Sequence, residues 1–225
     1  MTHTTRLLLA AALAFAPAAA KAQHDTAGHG QTGDYMDHSF ADVERYAASF
    51  DDPARDAWQM PDRVIGALGL KAGSVVADIG AGTGYFSIRL AKSPGSPRVL
   101  AVDVEPKMLE HIRHRAMADG LRNVVTVAAG QTSPNLPEPV DVVLIVDTYH
   151  HIPNRVAYFT ALTRAMKPGA RLAIVDFKKD SPDGPPAEFR FTPEQITSEL
   201  TKAGFVRQAQ HDFLPRQLFL VYTVK

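Results

Sequence analysis

Cysteine is absent from this 225-residue chain, so it can form no disulfide and has no cysteine for a lipid anchor. An excess of charge of either sign is also absent, because 24 basic side chains balance 24 acidic ones. An enzyme that acts on nucleic acid would be expected to carry a cationic stripe. Beyond the amino terminus, no apolar run is long enough to span a membrane. We therefore predict no nucleic-acid partner and no membrane span in the mature protein.

Residues 1–22 have the pattern of a secretory signal peptide. Arg6 precedes an apolar core at residues 7–15, which is too short for a transmembrane helix. Small residues follow and end in Ala20-Lys21-Ala22, an A-x-A cleavage site. We expect cleavage before Gln23, with cleavage after Ala20 as the alternative. The expected location of the mature, soluble protein is the periplasm or the medium.

The next segment, residues 23–37, is predicted to be a flexible linker, because it is rich in Gly, Thr, Asp and His and has little apolar content. His24, His29 and His38 could bind a metal, but they have no fixed spacing on one helix, so we predict no metal site. Residues 38–225 have enough apolar content for one core and are predicted to form a single domain. The first part of this domain, residues 38–70, is predicted to form three short helices.

The most informative stretch is 75–87, where a predicted buried strand breaks into a glycine-rich turn and opens a helix. Gly80, Gly82 and Gly84 leave the backbone open to a ligand, and the amides at the start of the helix carry partial positive charge. This spacing differs from the G-x-G-x-x-G pattern that binds a dinucleotide. Asp78 would also repel a pyrophosphate. The turn therefore favours a ligand with an ammonium group over NAD.

Strand and helix signals alternate along the rest of the chain. The predicted strands are 98–102, 124–129, 140–146, 170–177, 205–212 and 218–223. This order is typical of a doubly wound α/β sheet. Ligands of such sheets bind outside the carboxyl ends of the strands. Four acids are predicted to line one crevice there: Asp78, Asp103, Asp147 and Asp176.

Three features together resemble the class I S-adenosylmethionine-dependent methyltransferases, in particular the small-molecule enzymes related to quinone biosynthesis. They are the motif D-x-G-x-G-x-G at 78–84, Asp103 at the end of the second strand, and the segment 147–151, which follows the fourth strand. The resemblance covers about 37–225. It implies a seven-stranded, mostly parallel Rossmann-like sheet with an antiparallel last strand, and amino-terminal helices over the site. It also implies transfer of a methyl group from S-adenosylmethionine to an oxygen, nitrogen or carbon of an unidentified small molecule.

The resemblance further implies which residues bind the cofactor. Asp103 lies about 20 residues beyond the glycine turn, where an acid accepts both hydroxyls of a ribose. Gln131 stands where the family usually has an acid for the adenine amino group, and its amide oxygen can still accept. The expected cofactor-binding residues are Asp78, Gly80, Ala81, Gly82, Gly84, Asp103, Val104, Gln131 and Asp147.

The catalytic residues expected from the same resemblance follow the fourth strand. His150 or His151 is the expected general base, since histidine titrates near neutrality. Asp147 is expected to contact the cofactor or an ammonium group of the substrate. Because neighbouring side chains usually point apart, we expect one histidine to cap a helix that begins at Pro153.

Two other functions fit parts of the sequence. The export signal fits a nucleoside-binding module or a degenerate methyltransferase without turnover. A nicotinamide-dependent oxidoreductase would also use a glycine-rich turn, although the glycine spacing and Asp78 oppose it.

The signal peptide makes a direct prediction. Protein purified from its native cell should begin at Gln23, because signal peptidase cuts after a small-x-small sequence. Amino-terminal sequencing of the periplasmic and cytosolic fractions measures this. An intact Met1 in the cytosolic fraction would contradict the prediction.

Overall fold

A computed structural model describes Phe40 and residues 42–225. The helices of this part are α1 (Val43–Phe50), α2 (Asp56–Gln59), α3 (Pro61–Leu68), α4 (Tyr85–Lys92), α5 (Pro106–Ala118), α6 (Arg155–Leu162) and α7 (Pro193–Lys202). The strands are β1 (Val75–Ile79), β2 (Arg98–Asp103), β3 (Val124–Ala128), β4 (Val140–Val146), β5 (Met166–Phe177), β6 (Phe205–Gln210) and β7 (Gln217–Val224). None of these helices is both long enough and apolar enough to cross a lipid bilayer.

The seven strands form one sheet in the order β3-β2-β1-β4-β5-β7-β6. Neighbouring strands from β3 to β5 are parallel, whereas β7 pairs antiparallel with both β5 and β6. Only β7 therefore runs against the others. The predicted fold class, a mostly parallel doubly wound sheet with an antiparallel last strand, is confirmed.

The strand order reverses at β1, which lies between β2 and β4. Successive crossovers place β2 and β3 on one side of β1, and β4 and β5 on the other. The loops after β1 and β4 therefore diverge and leave a crevice at the carboxyl ends of these strands. The glycine turn and residues 147–151 face each other across this crevice.

Helices cover both faces of the sheet, and each face has its own core. Every residue of β1 is buried, as expected for a parallel strand with helices on both sides. Alternate residues supply the two cores: Val76 packs with α3 and α4, whereas Ala77 packs with α6 and α7. The continuous apolar runs of the sequence thus correspond to central strands.

The amino-terminal helices form largely as the sequence predicts. In α1 the apolar positions 43, 46, 47 and 50 are part-buried, while 44, 45, 48 and 49 are exposed. Asp52 accepts a hydrogen bond from the amide of Ala54 and caps the short 3-10 turn Pro53–Arg55, which leads into α2. One predicted boundary is wrong: α6 begins at Arg155, not Pro153, because Asn154 has a left-handed backbone with φ 47°.

Candidate functional site

The glycine turn between β1 and α4 has a backbone that only glycine adopts easily. Gly80, Gly82 and Gly84 have φ of 75°, 54° and 86°. A Cβ atom on Gly80 would lie 2.2 Å from Oγ1 of Thr148, in the loop after β4. The missing side chain therefore allows the two loops that border the crevice to touch.

Asp103, the last residue of β2, is tied to this turn. Its carboxylate accepts the amide of Gly82 at 2.8 Å and the amide of Glu105 at 2.9 Å. Burial raises the pKa of Asp103 above its ordinary value, and these backbone donors oppose the rise. A carboxylate offers about four acceptor positions. Two remain after the backbone bonds, as many as the hydroxyls of one ribose require.

Asp78 lies beneath the turn and is almost fully buried. Its Oδ2 accepts a hydrogen bond of 2.6 Å from Ser87 Oγ in α4. Burial raises the pKa of Asp78 to about 6, and among the described residues no cation forms an ion pair with the carboxylate. A ligand with an ammonium group would stabilise the charged form.

A cavity of about 440 Å³ opens between the turn, the loop after β4 and the amino-terminal helices. Among the predicted site residues, those that line it are Asp78, Gly80, Ala81, Gly82, Asp103, Val104, Gln131, Asp147, His150 and His151. Gly84 does not line the cavity, because its Cα faces Ile112 of α5. Asp176 does not line it either, so the expectation that four acids share the crevice is wrong for one of them.

Two features of the cavity wall fit a polar ligand such as a nucleoside with an amino-acid tail. The side chain of Thr83 is buried and lines the cavity, and its Oγ1 has no hydrogen-bond partner among the described residues. A buried hydroxyl in this state is destabilising unless a ligand satisfies it. A Cβ on Gly82 would lie 3.5 Å from the Phe50 ring and narrow the gap between the turn and α1.

Asp147 is held by three side chains from other parts of the chain. Arg55 contacts Oδ2 at 3.3 Å, Gln59 lies 3.5 Å from the same oxygen, and Gln217 donates to Oδ1. Burial raises the pKa of Asp147 to about 6, against the opposite effect of the Arg55 guanidinium. Its backbone is left-handed, with φ 51°. Asp147 therefore lines the cavity with both of its carboxylate oxygens already hydrogen-bonded.

His150 and Asp176 form a buried pair beside the cavity. Nδ1 of His150 lies 3.0 Å from both carboxylate oxygens of Asp176. Burial lowers the pKa of His150, but Asp176 and then Asp147 outweigh it, so this pKa is raised above the ordinary value. With Nδ1 engaged, Nε2 is the nitrogen available to the cavity. The acid at the end of β5 therefore orients a histidine.

His151 also lines the cavity, so the expectation that one histidine points away to cap a helix is wrong. Both belong to the 3-10 turn Tyr149–His151, and their ring centroids are 4.2 Å apart. This turn ends before α6 begins at Arg155, and no side chain caps the amino terminus of α6 among the described residues. Trp58 lines the cavity and packs on Phe177.

The residues that hold Asp147 were not predicted from the sequence. Arg55, Gln59 and Gln217 lie in segments without charge patterning or a motif. The predicted signal peptide (1–22), the linker (23–37) and the residues His24, His29 and His38 all lie outside the described part of the chain. Within that part, no group of three or more His, Asp or Glu is placed to hold a metal ion.

Part of the chain is similar in sequence to known methyltransferases. Residues 76–169 match the family described as a methyltransferase domain. A 27-O-demethylrifamycin SV methyltransferase of Amycolatopsis mediterranei is 30% identical over 147 residues, which are 64% of this chain and 52% of that protein. A demethylmenaquinone methyltransferase of Tropheryma whipplei is 30% identical over 113 residues, 49% of this chain and 44% of that protein. The chain thus spans about half the length of these curated relatives.

A solved structure covers more of the chain. The SAM-dependent methyltransferase from Aquifex aeolicus superposes with a TM-score of 0.75 and 27% identity, over 82% of this chain and 99% of that one. The fold implied by the resemblance is therefore confirmed, and residues 76–169 match a methyltransferase domain.

The contact between Gly80 and Thr148 predicts an unequal effect of two alanine substitutions. Gly73 also has positive φ, at 80°, but nothing lies within 4 Å of a Cβ built there. Gly73→Ala should lower the free energy of unfolding by about 1 kcal/mol through backbone strain alone. Gly80→Ala should lower it by a further 1 to 3 kcal/mol, roughly, because Thr148 must move. Urea denaturation of both variants measures the difference, and equal losses would contradict the contact.

Proposed function

We propose that this protein is an S-adenosylmethionine-dependent methyltransferase that acts on a small-molecule nucleophile. The single observation that carries the proposal is the hydrogen bond between Asp103 and the Gly82 amide, at the wall of a cavity that also holds His150. It joins an acid suited to a ribose to a glycine turn suited to an amino-acid tail. The methyltransferase domain at 76–169 contains all three residues.

The residues present fit S-adenosylmethionine, which is the cofactor. Asp103 would accept the ribose hydroxyls, with Val104 and Gln131 beside the base. Asp78 and the unpartnered Thr83 hydroxyl would serve the charged amino-acid end. These groups lie along one wall and leave the side of His150 for the acceptor.

The cofactor supplies a methyl group on a sulfonium that is already a good leaving group. The protein therefore has to align the acceptor and exclude water, and alignment alone can contribute on the order of 7 to 11 kcal/mol. The rings of Phe40, Tyr46 and Trp58 line the cavity and would help to exclude water from it. His150 holds Nε2 ready to take a proton, because Asp176 fixes the other ring nitrogen.

The two alternative functions are less well supported. A binding module without turnover has no use for an oriented histidine–aspartate pair in its cavity, and such a pair favours catalysis. Binding of NAD would place a pyrophosphate near the buried carboxylate of Asp78, which disfavours it. We also propose, from residues 1–22, that the enzyme acts outside the cytosol, where its cofactor would have to be supplied.

Calorimetry tests the cofactor. The protein should bind S-adenosylmethionine and S-adenosylhomocysteine but not NAD. Asp103→Ala should weaken binding by roughly 1.5 to 3 kcal/mol, since charge-assisted hydrogen bonds are lost. Glu138→Ala is a matched control, because this acid pairs with Arg98 at the surface. Binding of NAD alone, or an equal loss in both variants, would contradict the proposal.

The His150–Asp176 pair predicts a linked change in pKa and rate. His150→Ala should lower kcat about 100-fold near neutral pH, with cofactor affinity nearly unchanged. Because only the unprotonated ring can accept a proton, and Asp176 and Asp147 raise the pKa of His150, wild-type kcat should rise with pH through that raised pKa. Asp176→Asn should lower the pKa of His150 by about 1 to 3 pH units and move the rise in kcat to lower pH.

The pKa is measured by NMR titration of the histidine rings, and kcat by transfer of labelled methyl to the first acceptor found. His114→Ala, which removes an exposed histidine on α5, is the control. A large loss in His151→Ala with none in His150→Ala would assign the base to the other histidine. An unchanged His150 pKa in Asp176→Asn would remove the positioning role of Asp176.

A further inference from the structure

The 3-10 turn that carries His150 is anchored in the core by the residue before it. Tyr149 is fully buried, and its ring stacks on Phe159 of α6 with centroids 5.6 Å apart and planes inclined by 22°. The ring of Phe191 packs edge-on against it at 5.3 Å. The Tyr149 hydroxyl donates a hydrogen bond to Oε2 of Glu199 in α7. Tyr149 therefore lies in the core, while His150, the next residue, lines the cavity.

Glu199 is also connected to the other end of the turn, through Arg155. Oε2 and Oε1 of Glu199 accept hydrogen bonds from Nε and Nη2 of Arg155 at 2.6 and 3.1 Å. Nη1 of the same guanidinium donates to the carbonyl oxygen of Ile152, the residue that ends the turn, at 3.2 Å. Glu199 thus holds Tyr149 directly and Ile152 indirectly, and His150 lies between these two points.

Glu199 is charged in this cluster, and Tyr149 is neutral. Burial raises the pKa of Glu199, but the hydrogen bonds from Arg155 and Tyr149 outweigh it, so this pKa lies below the ordinary value. Burial, and then the bond to Glu199, raise the pKa of Tyr149, so the hydroxyl keeps its proton and donates it. Both bonds to the carboxylate are therefore charge-assisted, which is the strong class of hydrogen bond.

This polar cluster adds direction to the ring packing. Hydrophobic attraction has no preferred direction, whereas a hydrogen bond to a charged acceptor has a short length and a defined angle. A buried ion pair contributes little net stability, because desolvation offsets much of its attraction. A phenylalanine at position 149 would keep the ring contacts and would need no hydrogen-bond partner. The gain from the Tyr149 hydroxyl and its acceptor is therefore a fixed position of the turn.

We propose that Glu199 is a positioning residue for His150: from α7 it fixes the turn so that Nδ1 of His150 stays on Asp176 and Nε2 stays available to the cavity. This inference rests on the proposed function, in which Nε2 is the atom that takes a proton. Nδ1 lies 3.0 Å from both carboxylate oxygens of Asp176, and a small shift of the turn would lengthen these contacts. Glu199 lies beyond residues 76–169, so part of the support of this histidine comes from outside the matched domain.

The pKa of His150 depends on this geometry. Asp176 and then Asp147 raise it, whereas burial and Arg155 lower it. His151 is a further titratable neighbour, with its ring centroid 4.2 Å away. The effect of Asp176 requires its contact with Nδ1, so a turn that moves away from Asp176 gives His150 a lower pKa.

Tyr149→Phe is the central test, because it removes the bond to Glu199 and changes no charge. It should lower the pKa of His150 by about 0.5 to 1 pH unit, measured by NMR titration of the histidine rings in the full chain. Tyr222→Phe is the matched control, because this buried tyrosine of β7 also bonds to α7, but through Thr197 at 2.9 Å. It should shift the pKa of His150 by less than about 0.2 pH unit.

Glu199→Gln should lower the same pKa at least as much as Tyr149→Phe does, because it weakens the attachment at both ends of the turn and leaves the Arg155 charge uncompensated. Glu194→Gln is its control, because this acid is exposed on the same helix. In an Asp176→Asn background, Tyr149→Phe should have almost no further effect on the pKa of His150, since the contact that it disturbs is already lost.

An unchanged His150 pKa in Tyr149→Phe would overturn the inference, and so would equal shifts in Tyr149→Phe and Tyr222→Phe. A shift in Glu199→Gln alone would also overturn it, because only the loss of charge would then act. Calorimetry should show unchanged affinity for S-adenosylhomocysteine in all these single variants. Failure of the wild type to bind S-adenosylhomocysteine would overturn the proposed function, whereas the pKa shifts would still show that Glu199 positions His150.

Discussion

The contact between Gly80 and Thr148 sets the distance between the two loops that form the site. Thr148 occupies the space that a side chain at position 80 would fill, so the loop after β1 and the loop after β4 meet. Because β1 and β4 are adjacent parallel strands, this contact fixes their carboxyl ends relative to each other. The glycine turn, Asp103 and the 3-10 turn with His150 all depend on this arrangement.

Around this contact the fold tolerates four buried acids at one edge of the sheet, each in a different way. Within the described part of the chain, the Ser87 hydroxyl is the only side-chain partner of Asp78, and burial raises the pKa of Asp78 to about 6. Asp103 is stabilised by backbone amides. Asp147 is balanced by Arg55, and Asp176 by His150. Since burying an unpaired carboxylate is strongly unfavourable, the acid with the fewest partners is the one best placed to receive a charged ligand.

Local signals in the sequence were sufficient for much of this site. The apolar run before Asp78 and the spacing of the glycines predicted β1, the turn and the start of α4. The position of Asp103 at a strand end predicted that it lines the crevice outside the sheet. The partners of Asp147 could not be predicted, because Arg55 lies 92 residues away in a short 3-10 turn that carries no periodic pattern. The orientation of Asp176 towards His150 depends on side-chain packing between neighbouring loops, which strand order alone does not determine.

The two kinds of residue in the cavity wall come from different parts of the sequence. The three acids that line the cavity (Asp78, Asp103 and Asp147), the glycine turn and His150 lie within residues 76–169, which match the methyltransferase domain. Most of the aromatic surface lies before or after that segment, in the helices around Phe40 to Trp58 and in the loop from Phe177 to Pro185. On the proposed function, changes in these flanking segments would alter which acceptor fits while the cofactor half stays intact. An enzyme built in this way would acquire new substrates by small steps, without passing through forms that have lost the methyl donor.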